Sequence, residues 1–217
     1  MNKSLEDYLK NIYSVSQNGS KVTNSLLAEK LNVSSAAVSE MVSKLSKSDY
    51  IVNTPYKGFE LTKKGEAIAI NLIRKHRIWE VFLLQYLNYK WENVHYEAEN
   101  LEHASSDELI TQLEKFLGYP KTDPHGHPIP DKNGKLSQVE TIPAAELKVG
   151  ETAIISQVSD ENSEVLVYLT KAGLKLHDEI KVTEKINFDN SIQIKFRSLN
   201  IFLSEKLAKN IFVIRKT

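Results

Sequence analysis

The sequence predicts a mainly α-helical protein with small β parts, and two observations support this. The first 64 residues read as three amphipathic helices followed by a β-hairpin, and the last third holds several short runs typical of strands. The longest helical patterns lie between them. At 217 residues the chain is long enough for two or three small domains. We therefore predict an N-terminal winged helix-turn-helix, a central helical domain and a C-terminal β domain.

The N-terminal elements are predicted from their caps and apolar spacing. Ser4 is expected to cap a helix that runs to about residue 17, and Thr23 opens a short second helix. A third helix is capped by Ser34 or Ser35, and residues 50–62 read as a hairpin. Two short helices joined by a tight turn form a helix-turn-helix, and the hairpin supplies the wing.

The third helix is predicted to enter the major groove of DNA. Its N-terminal side chains are small, so direct reading of bases is expected to be sparse. Lysines near it are better suited to phosphates, although a purely solvated role is equally open for each. The candidate base contacts are Ser34, Ser35, Ala36, Ala37, Ser39 and Glu40, and the candidate phosphate contacts are Lys44, Lys47 and the wing residue Lys57.

The central domain is predicted to contain three helices. One runs from Gly65 to about residue 88, one from Trp91 to His103 and one from Ser105 to residue 117. Ser105 and Glu108 match a capping box for the last of these. Its apolar stripe is larger than so short a bundle needs, which favours a homodimer.

One face of the second of these helices gathers possible metal ligands. His95, Glu99, Glu102 and His103 stand at offsets of zero, four, seven and eight, within about 100° of arc on an α-helix. Such a face can be solvated, but carboxylates brought together favour a bound cation.

Further possible ligands lie elsewhere. His76 and Glu80 are one helical turn apart, a spacing more often found in surface pairs. The proline-rich segment 119–130 holds Asp123 and His125, together with His127. Asp7 either serves as a ligand or closes a capping box with Ser4.

The C-terminal part is predicted to be a small β-barrel. Strand-like runs at 152–158, 179–182, 191–196 and 211–214 surround a helix at 164–172. The acidic residues Asp160 and Glu164 follow the first strand. We expect domains at 1–64, 65–130 and 146–217, with a linker at 131–145.

Composition narrows the function classes. Cysteine is absent, which excludes disulfides and sulfur-containing metal sites. Residues 1–77 carry 12 Lys/Arg against 7 Asp/Glu, and residues 78–125 carry 3 against 9. This uneven charge suggests a polyanion-binding segment followed by a cation-binding one, with chance segregation as the alternative. Without a long apolar run or leader, a cytoplasmic protein with no membrane partner is expected.

Several motifs together resemble one known family, the metalloregulators of the diphtheria-toxin-repressor and manganese-transport-regulator type. The resemblance covers essentially the full length. It implies a winged helix, a helical dimerisation and metal-binding domain, and a C-terminal SH3-like domain of the FeoA type. The motifs are EDYL at 6–9, VSSAAVSEMVSKL at 33–45, LTKKG at 61–65, RKHR at 74–77, HYEAENLEH at 95–103 and PHGHPIP at 124–130.

The resemblance also implies two metal sites. One matches Asp7, Glu99, Glu102 and His103; the other matches His76, Glu80, His95 and His125, with a further ligand at Asp160 or Glu164. Three departures from the family pattern matter. Asp7 and Glu99 replace the methionine and cysteine of iron-type members. Asp123 replaces a cysteine of close relatives and is either a ligand or a turn residue. Lys10 replaces a carboxylate of the two-domain manganese regulators, so their two-metal cluster is not expected.

The function implied is metal-dependent repression of metal-uptake genes by a homodimer on double-stranded operator DNA. The oxygen and nitrogen ligands suit Mn²⁺, with Fe²⁺ as an alternative and other divalent metals binding in vitro. Two other hypotheses remain open. The chain could be a winged-helix regulator of a small organic ligand, or a metallohydrolase that uses the same carboxylates and imidazoles.

Overall fold

The computed structural model describes residues 3–17, 19–54, 58–137, 139–160 and 162–216. The chain divides into two compact units, and each unit is assembled from separate segments of sequence. The first unit contains 1–76, 99–113 and 130–136, and the second contains 77–98, 114–129 and 137–217.

The first unit begins with the predicted helix-turn-helix. Helix α1 spans Lys3–Gln17, α2 spans Asn24–Leu31 and α3 spans Ser35–Lys47. The Thr23 hydroxyl accepts a hydrogen bond from the Leu26 amide, and the Ser34 hydroxyl accepts one from Ala37. These caps explain where α2 and α3 start. Asn32 ends α2 in the left-handed region at φ 51°, which turns the chain toward α3.

A hairpin and two helix segments complete this unit. Strands β1 (Ile51–Thr54) and β2 (Gly58–Leu61) pair antiparallel, as expected for a wing. The first half of α4 (Lys63–Leu87) and most of α6 (Asp107–Phe116) belong to the same unit. The predicted winged helix is therefore confirmed. Its fully buried apolar side chains include Leu9, Ile12, Leu27, Val38 and Leu45.

The second unit is built on an antiparallel sheet. Its strands are ordered β3-β8-β4-β5-β6-β7, and they form an apolar core with α7 and α8. The second half of α4 and most of α5 (Val94–Leu101) also lie in this unit. The strands are β3 Ile142–Pro143, β4 Thr152–Val158, β5 Glu179–Ile186, β6 Ser191–Phe196, β7 Leu199–Leu203 and β8 Ile211–Arg215, and the helices are α7 Ser163–Ala172 and α8 Glu205–Lys209.

Several local predictions need correction. Helix α1 already includes Lys3, so Ser4 lies within its first turn and is not its cap. Helix α5 ends at Leu101, and Glu102–Ala104 form a 3-10 turn. The Ser106 hydroxyl, not that of Ser105, accepts the capping hydrogen bond of α6 from the Leu109 amide. Strands β3 and β7 and helix α8 were not predicted. None of the described helices combines the length and apolar character that a membrane span requires.

Candidate metal centres

Four possible ligand atoms converge in the second unit. Glu80 is fully buried on α4, His95 lies in the first turn of α5, His125 lies in the proline-rich loop, and Asp160 follows β4. His95 Nδ1 is 3.5 Å from Glu80 Oε1 and 3.3 Å from Asp160 Oδ2. His125 Nδ1 is 3.6 Å from Glu80 Oε1 and 3.9 Å from Asp160 Oδ2. We call these four residues the Glu80 cluster.

The orientation of His125 indicates what this cluster can hold. Its Nε2 lies 3.2 Å from the Trp91 carbonyl oxygen, and its ring stacks on the Trp91 ring with centroids 5.9 Å apart. If Nε2–H donates to that carbonyl, Nδ1 of the neutral imidazole is left with a lone pair. Within the part of the chain that the structure describes, this buried Nδ1 has no hydrogen-bond partner, yet it lies 3.6 Å and 3.9 Å from two carboxylate oxygens. A cation bound here would accept the lone pair of Nδ1 and neutralise both carboxylates.

The spacing of the ligand atoms fits a first-row divalent metal. Bonds of about 2.1 Å place neighbouring ligand atoms about 3.0 Å apart in octahedral and about 3.4 Å apart in tetrahedral geometry. The four separations in the Glu80 cluster run from 3.3 to 3.9 Å. Small side-chain movements would therefore bring all four atoms into coordination range.

The electrostatics of the metal-free cluster agree with this picture. Burial opposes a charged His95, but Asp160 and Glu80 raise the pKa of His95 to about 10. Glu80 likewise outweighs burial and raises the pKa of His125 to about 9. Burial would raise the pKa of Asp160, but its hydrogen bond with His95 holds that pKa far below its usual range. Protons on the imidazoles thus supply the positive charge that the carboxylates require.

Asp123 closes the proline-rich loop. Its Oδ1 accepts hydrogen bonds from the amides of His125 at 2.8 Å and His127 at 3.0 Å. Its Oδ2 is 3.1 Å from His127 Nδ1 and 3.5 Å from Arg77 Nε. Asp123 thus shapes the turn and orients two histidines, and its carboxylate also lies within 4.8 Å of possible ligand atoms of His125 and His127. Gly126 has φ +90°, and a Cβ there would lie 2.0 Å from the Ser156 carbonyl oxygen, so only glycine fits.

A second group of ligand atoms lies in the first unit, on α1, α5 and the 3-10 turn. His103 Nε2 is 2.9 Å from Asp7 Oδ1 and 3.4 Å from Glu102 Oε1. His103 Nδ1 lies 2.6 Å from Glu6 Oε2, so Glu6 can fix the ring with Nε2 toward the carboxylates. Nε2 is buried, and none of the described residues gives it a hydrogen bond of good geometry. We call Asp7, Glu99, Glu102 and His103 the Asp7 cluster.

The Asp7 cluster also contains a lysine, at the position where the resemblance places a carboxylate in two-domain manganese regulators. Lys10 Nζ is 2.5 Å from Glu99 Oε1 and lies 2.9 and 3.0 Å from the two oxygens of Glu102. Burial alone would lower the pKa of Lys10, but Glu102 and Glu99 raise it above its ordinary value. Burial raises the pKa of Asp7, and the nearby His103 offsets part of this rise. The cluster is therefore acidic, with one ammonium inside it.

His76 and Glu164 are two other predicted ligands. His76 lies one turn before Glu80 on α4, and its Nδ1 is 2.5 Å from Glu102 Oε2. Glu164 is exposed in the first turn of α7, where Asn162 accepts a hydrogen bond from its amide. Of the two acidic candidates after β4, Asp160 therefore lies in the Glu80 cluster and Glu164 does not.

The candidate DNA contacts lie on one helix. Every predicted contact residue from Ser34 to Lys47 is exposed, while Val38 and Leu45 of α3 are buried. Lys44 pairs with Glu40 at 2.7 Å, so each side chain would have to leave this ion pair before it could contact DNA. The predicted wing contact, Lys57, lies outside the described residues.

The sequence matches three family profiles, one in each part of the chain. They are the iron dependent repressor N-terminal DNA binding domain at residues 1–59, the iron dependent repressor metal binding and dimerisation domain at 62–131, and the FeoA domain at 142–215. A winged helix combined with two clusters of carboxylates and imidazoles thus defines the class as metal-responsive regulators of transcription.

Solved structures agree with this class. The chain resembles a manganese-dependent transcriptional repressor in complex with manganese, with 31% identity and a TM-score of 0.92 over 98% of this chain and 100% of that one. It resembles the manganese regulator SloR with 37% identity and a TM-score of 0.83 over 100% of both chains. The chain belongs to the iron- and manganese-dependent repressor family of the diphtheria-toxin-repressor type, which confirms the resemblance of its motifs.

Curated relatives place the family among transcriptional repressors and not among enzymes. The iron-dependent repressor IdeR of Mycobacterium tuberculosis (strain ATCC 25618 / H37Rv) is 38% identical over 125 residues, 58% of this chain and 54% of that protein. The match thus spans about half the length of this relative. A metallohydrolase, considered above, has no counterpart in this family.

Proposed function

We propose that this protein is a homodimeric, metal-dependent repressor that binds double-stranded operator DNA of metal-uptake genes in response to Mn²⁺, with Fe²⁺ as the second candidate metal. The observation that supports metal binding most strongly is the buried Nδ1 of His125, which lies toward Glu80 and Asp160 and has no hydrogen-bond partner among the described residues. DNA binding is supported by the winged helix and its exposed α3. Such a function is exercised in the cytoplasm, where the DNA lies.

The choice of metal follows from the ligand atoms. The Glu80 cluster offers two carboxylates and two imidazoles, and the chain contains no cysteine. Oxygen and nitrogen ligands suit Mn²⁺ and Fe²⁺, whereas sulfur favours softer ions. Later metals such as Zn²⁺ would still bind in vitro, because raw affinity rises along the series. We assign Glu80, His95, His125 and Asp160 as ligands, with His76 one turn away on α4, and Asp123 as the residue that holds the loop.

The Asp7 cluster supplies the link to DNA binding. Asp7 lies on α1, whose Leu9 and Ile12 pack in the core of the winged helix, whereas Glu99, Glu102 and His103 come from later segments. A bound ion adds ligand bonds between these segments and neutralises their carboxylates. Because it acts through its higher affinity for the ordered state, metal and DNA must strengthen each other's binding equally.

We assign DNA recognition to residues 1–64, metal binding and dimerisation to 65–130, and an SH3-like domain to 146–217 after a linker at 131–145. In α3 and its cap we assign Lys44 and Lys47 to phosphates, and to base edges we assign Ser34, Ser35, Ala36, Ala37, Ser39 and Glu40. An exposed aromatic cluster supports the dimer: the Tyr86 ring lies 5.7 Å from Phe82 and 4.8 Å from Phe116, and Phe116 is 60% exposed.

The experiment is to measure operator affinity in chelator and in buffered Mn²⁺. Tighter binding in Mn²⁺ is expected for the wild type, and Glu80→Gln should weaken that response while leaving the circular dichroism spectrum unchanged. Glu108→Gln is the matched control, because Glu108 is an exposed residue of α6 outside both clusters. Equal affinity with and without metal would contradict the proposal and favour a regulator of a small organic ligand.

A further inference from the structure

Lys10 occupies oxygens that a metal ion in the Asp7 cluster would need. Its ammonium contacts Glu99 Oε1 at 2.5 Å and both oxygens of Glu102 at 2.9 and 3.0 Å. Glu102 is fully buried, so solvent cannot readily replace this contact. The lysine side chain itself is 17% exposed. The ammonium is therefore a built-in part of the cluster.

An ammonium and a divalent ion on the same carboxylates repel each other. Ligand bonds of about 2.1 Å to Glu99 and Glu102 would place the ion about 4 Å or less from an unmoved Nζ. Like charges at that distance interact strongly in a partly buried site. Both oxygens of Glu102 already contact Lys10, and Oε2 also contacts His76, so an ion bound to Glu102 would share each oxygen with the ammonium. Metal binding thus requires the ammonium to move away.

We propose that Lys10 is an internal competitor of the metal ion, which sets the concentration of Mn²⁺ at which the Asp7 cluster fills. The inference rests on the proposed role of this cluster as a metal site. In the metal-free chain the ammonium holds Glu99 and Glu102 together and ties them to α1. The incoming ion takes over both tasks, so its net affinity is reduced by the contacts that Lys10 gives up.

This role differs from that of an ordinary structural ion pair. A lysine that only stabilised the fold would, if removed, leave metal affinity unchanged or weaken it through disorder of the ligands. A competitor has the opposite effect, because its removal leaves two carboxylates unneutralised and available to the ion. The sign of the change in Mn²⁺ affinity therefore separates the two roles.

The test is Mn²⁺ titration calorimetry on the full chain carrying Glu80→Gln, which silences the other proposed site. In that background the uncharged variants Lys10→Gln and Lys10→Met should bind Mn²⁺ at least about tenfold more tightly than the parent. Lys10→Arg, which keeps the positive charge, should stay near the parent affinity. Lys75→Gln is the matched control. Lys75 is 14% exposed and pairs with Asp107 at 2.9 Å, outside the cluster.

A second measurement does not depend on metal. Without metal, Lys10→Gln should speed hydrogen exchange of amides in α1 and in the 3-10 turn Glu102–Ala104, because their shared ion pair is lost. Unchanged or weaker Mn²⁺ binding by both uncharged variants would overturn the proposal, provided that Glu99→Gln abolishes binding. Absence of Mn²⁺ binding in both the Glu80→Gln parent and its Lys10→Gln variant would instead overturn the metal site itself.

Discussion

Glu102 and Glu99 both pair with Lys10, yet their contributions to the stability of the metal-free protein should differ. Glu102 is fully buried and contacts Lys10 and His76. The Glu99 side chain is 32% exposed and contacts Lys10 through one oxygen. Replacing either by Gln keeps the volume and removes the charge, so the comparison isolates burial of the ion pair.

The expected costs follow from that burial. Removing one partner of a buried ion pair costs about 3 to 5 kcal/mol, and Glu102→Gln should lie at the lower end because Lys10 keeps Glu99. For Glu99, whose side chain is partly exposed, solvent screening limits the loss of unfolding free energy to about 1 kcal/mol. Urea denaturation in chelator, followed by far-UV circular dichroism, gives both values. A loss for Glu99→Gln equal to or greater than that for Glu102→Gln would refute the reasoning.

Three further outcomes follow from the structure. Gly126→Ala should destabilise the protein by about 3 kcal/mol in urea denaturation and weaken Mn²⁺ binding, because its Cβ would lie 2.0 Å from a carbonyl oxygen. The control Gly150→Ala, at φ +91° with open space around it, should cost only about 1 kcal/mol in the same assay. Ser34→Ala should cost about 1 kcal/mol in the same assay and weaken DNA binding through loss of the α3 cap, and Ser34→Asp should restore the stability. His95 and His125 have folded pKa values of about 10 and 9, above the ordinary 6.5, so the stability they contribute to the metal-free chain is fully present below pH 6.5 and is lost as pH rises through 9 to 10. The melting temperature in chelator should therefore fall over that range, and fall less for His95→Asn; calorimetry in two buffers near pH 7.5 should show about two protons released when Mn²⁺ binds.

Local signals in the sequence were enough to predict most elements of the fold. Thr23 and Ser34 cap α2 and α3 as expected, because a hydroxyl one residue before a helix satisfies a free amide wherever the helix lies. The start of α6 was misplaced since two adjacent serines match the same pattern. The chain path through the preceding 3-10 turn decides between Ser105 and Ser106. Strand β3 was missed because it has two residues and pairs only through β8.

The metal centres were only partly predictable. Helical spacing places His95 and Glu99 on one face, but it cannot tell which distant groups face each of them. The contacts of Lys10 with Glu99 and Glu102 span 89 and 92 residues of sequence, so no local pattern reveals them. Glu6 was missed for the same reason, although its position beside Asp7 was a usable signal. Trp91 contributes through its carbonyl oxygen, which residue type does not indicate.

A backbone hydrogen bond joins the proline-rich loop to the end of strand β4. The Val158 amide donates to the His125 carbonyl at 2.9 Å, and Asp160 follows two residues later. The loop and the strand are therefore held in register directly, and the residues between them do not set the distance between the two ligands. The number of residues between the two elements can therefore differ without changing the distance between His125 and Asp160. A search of genomes by fixed spacing between His125 and Asp160 would overlook proteins that bind metal in the same way.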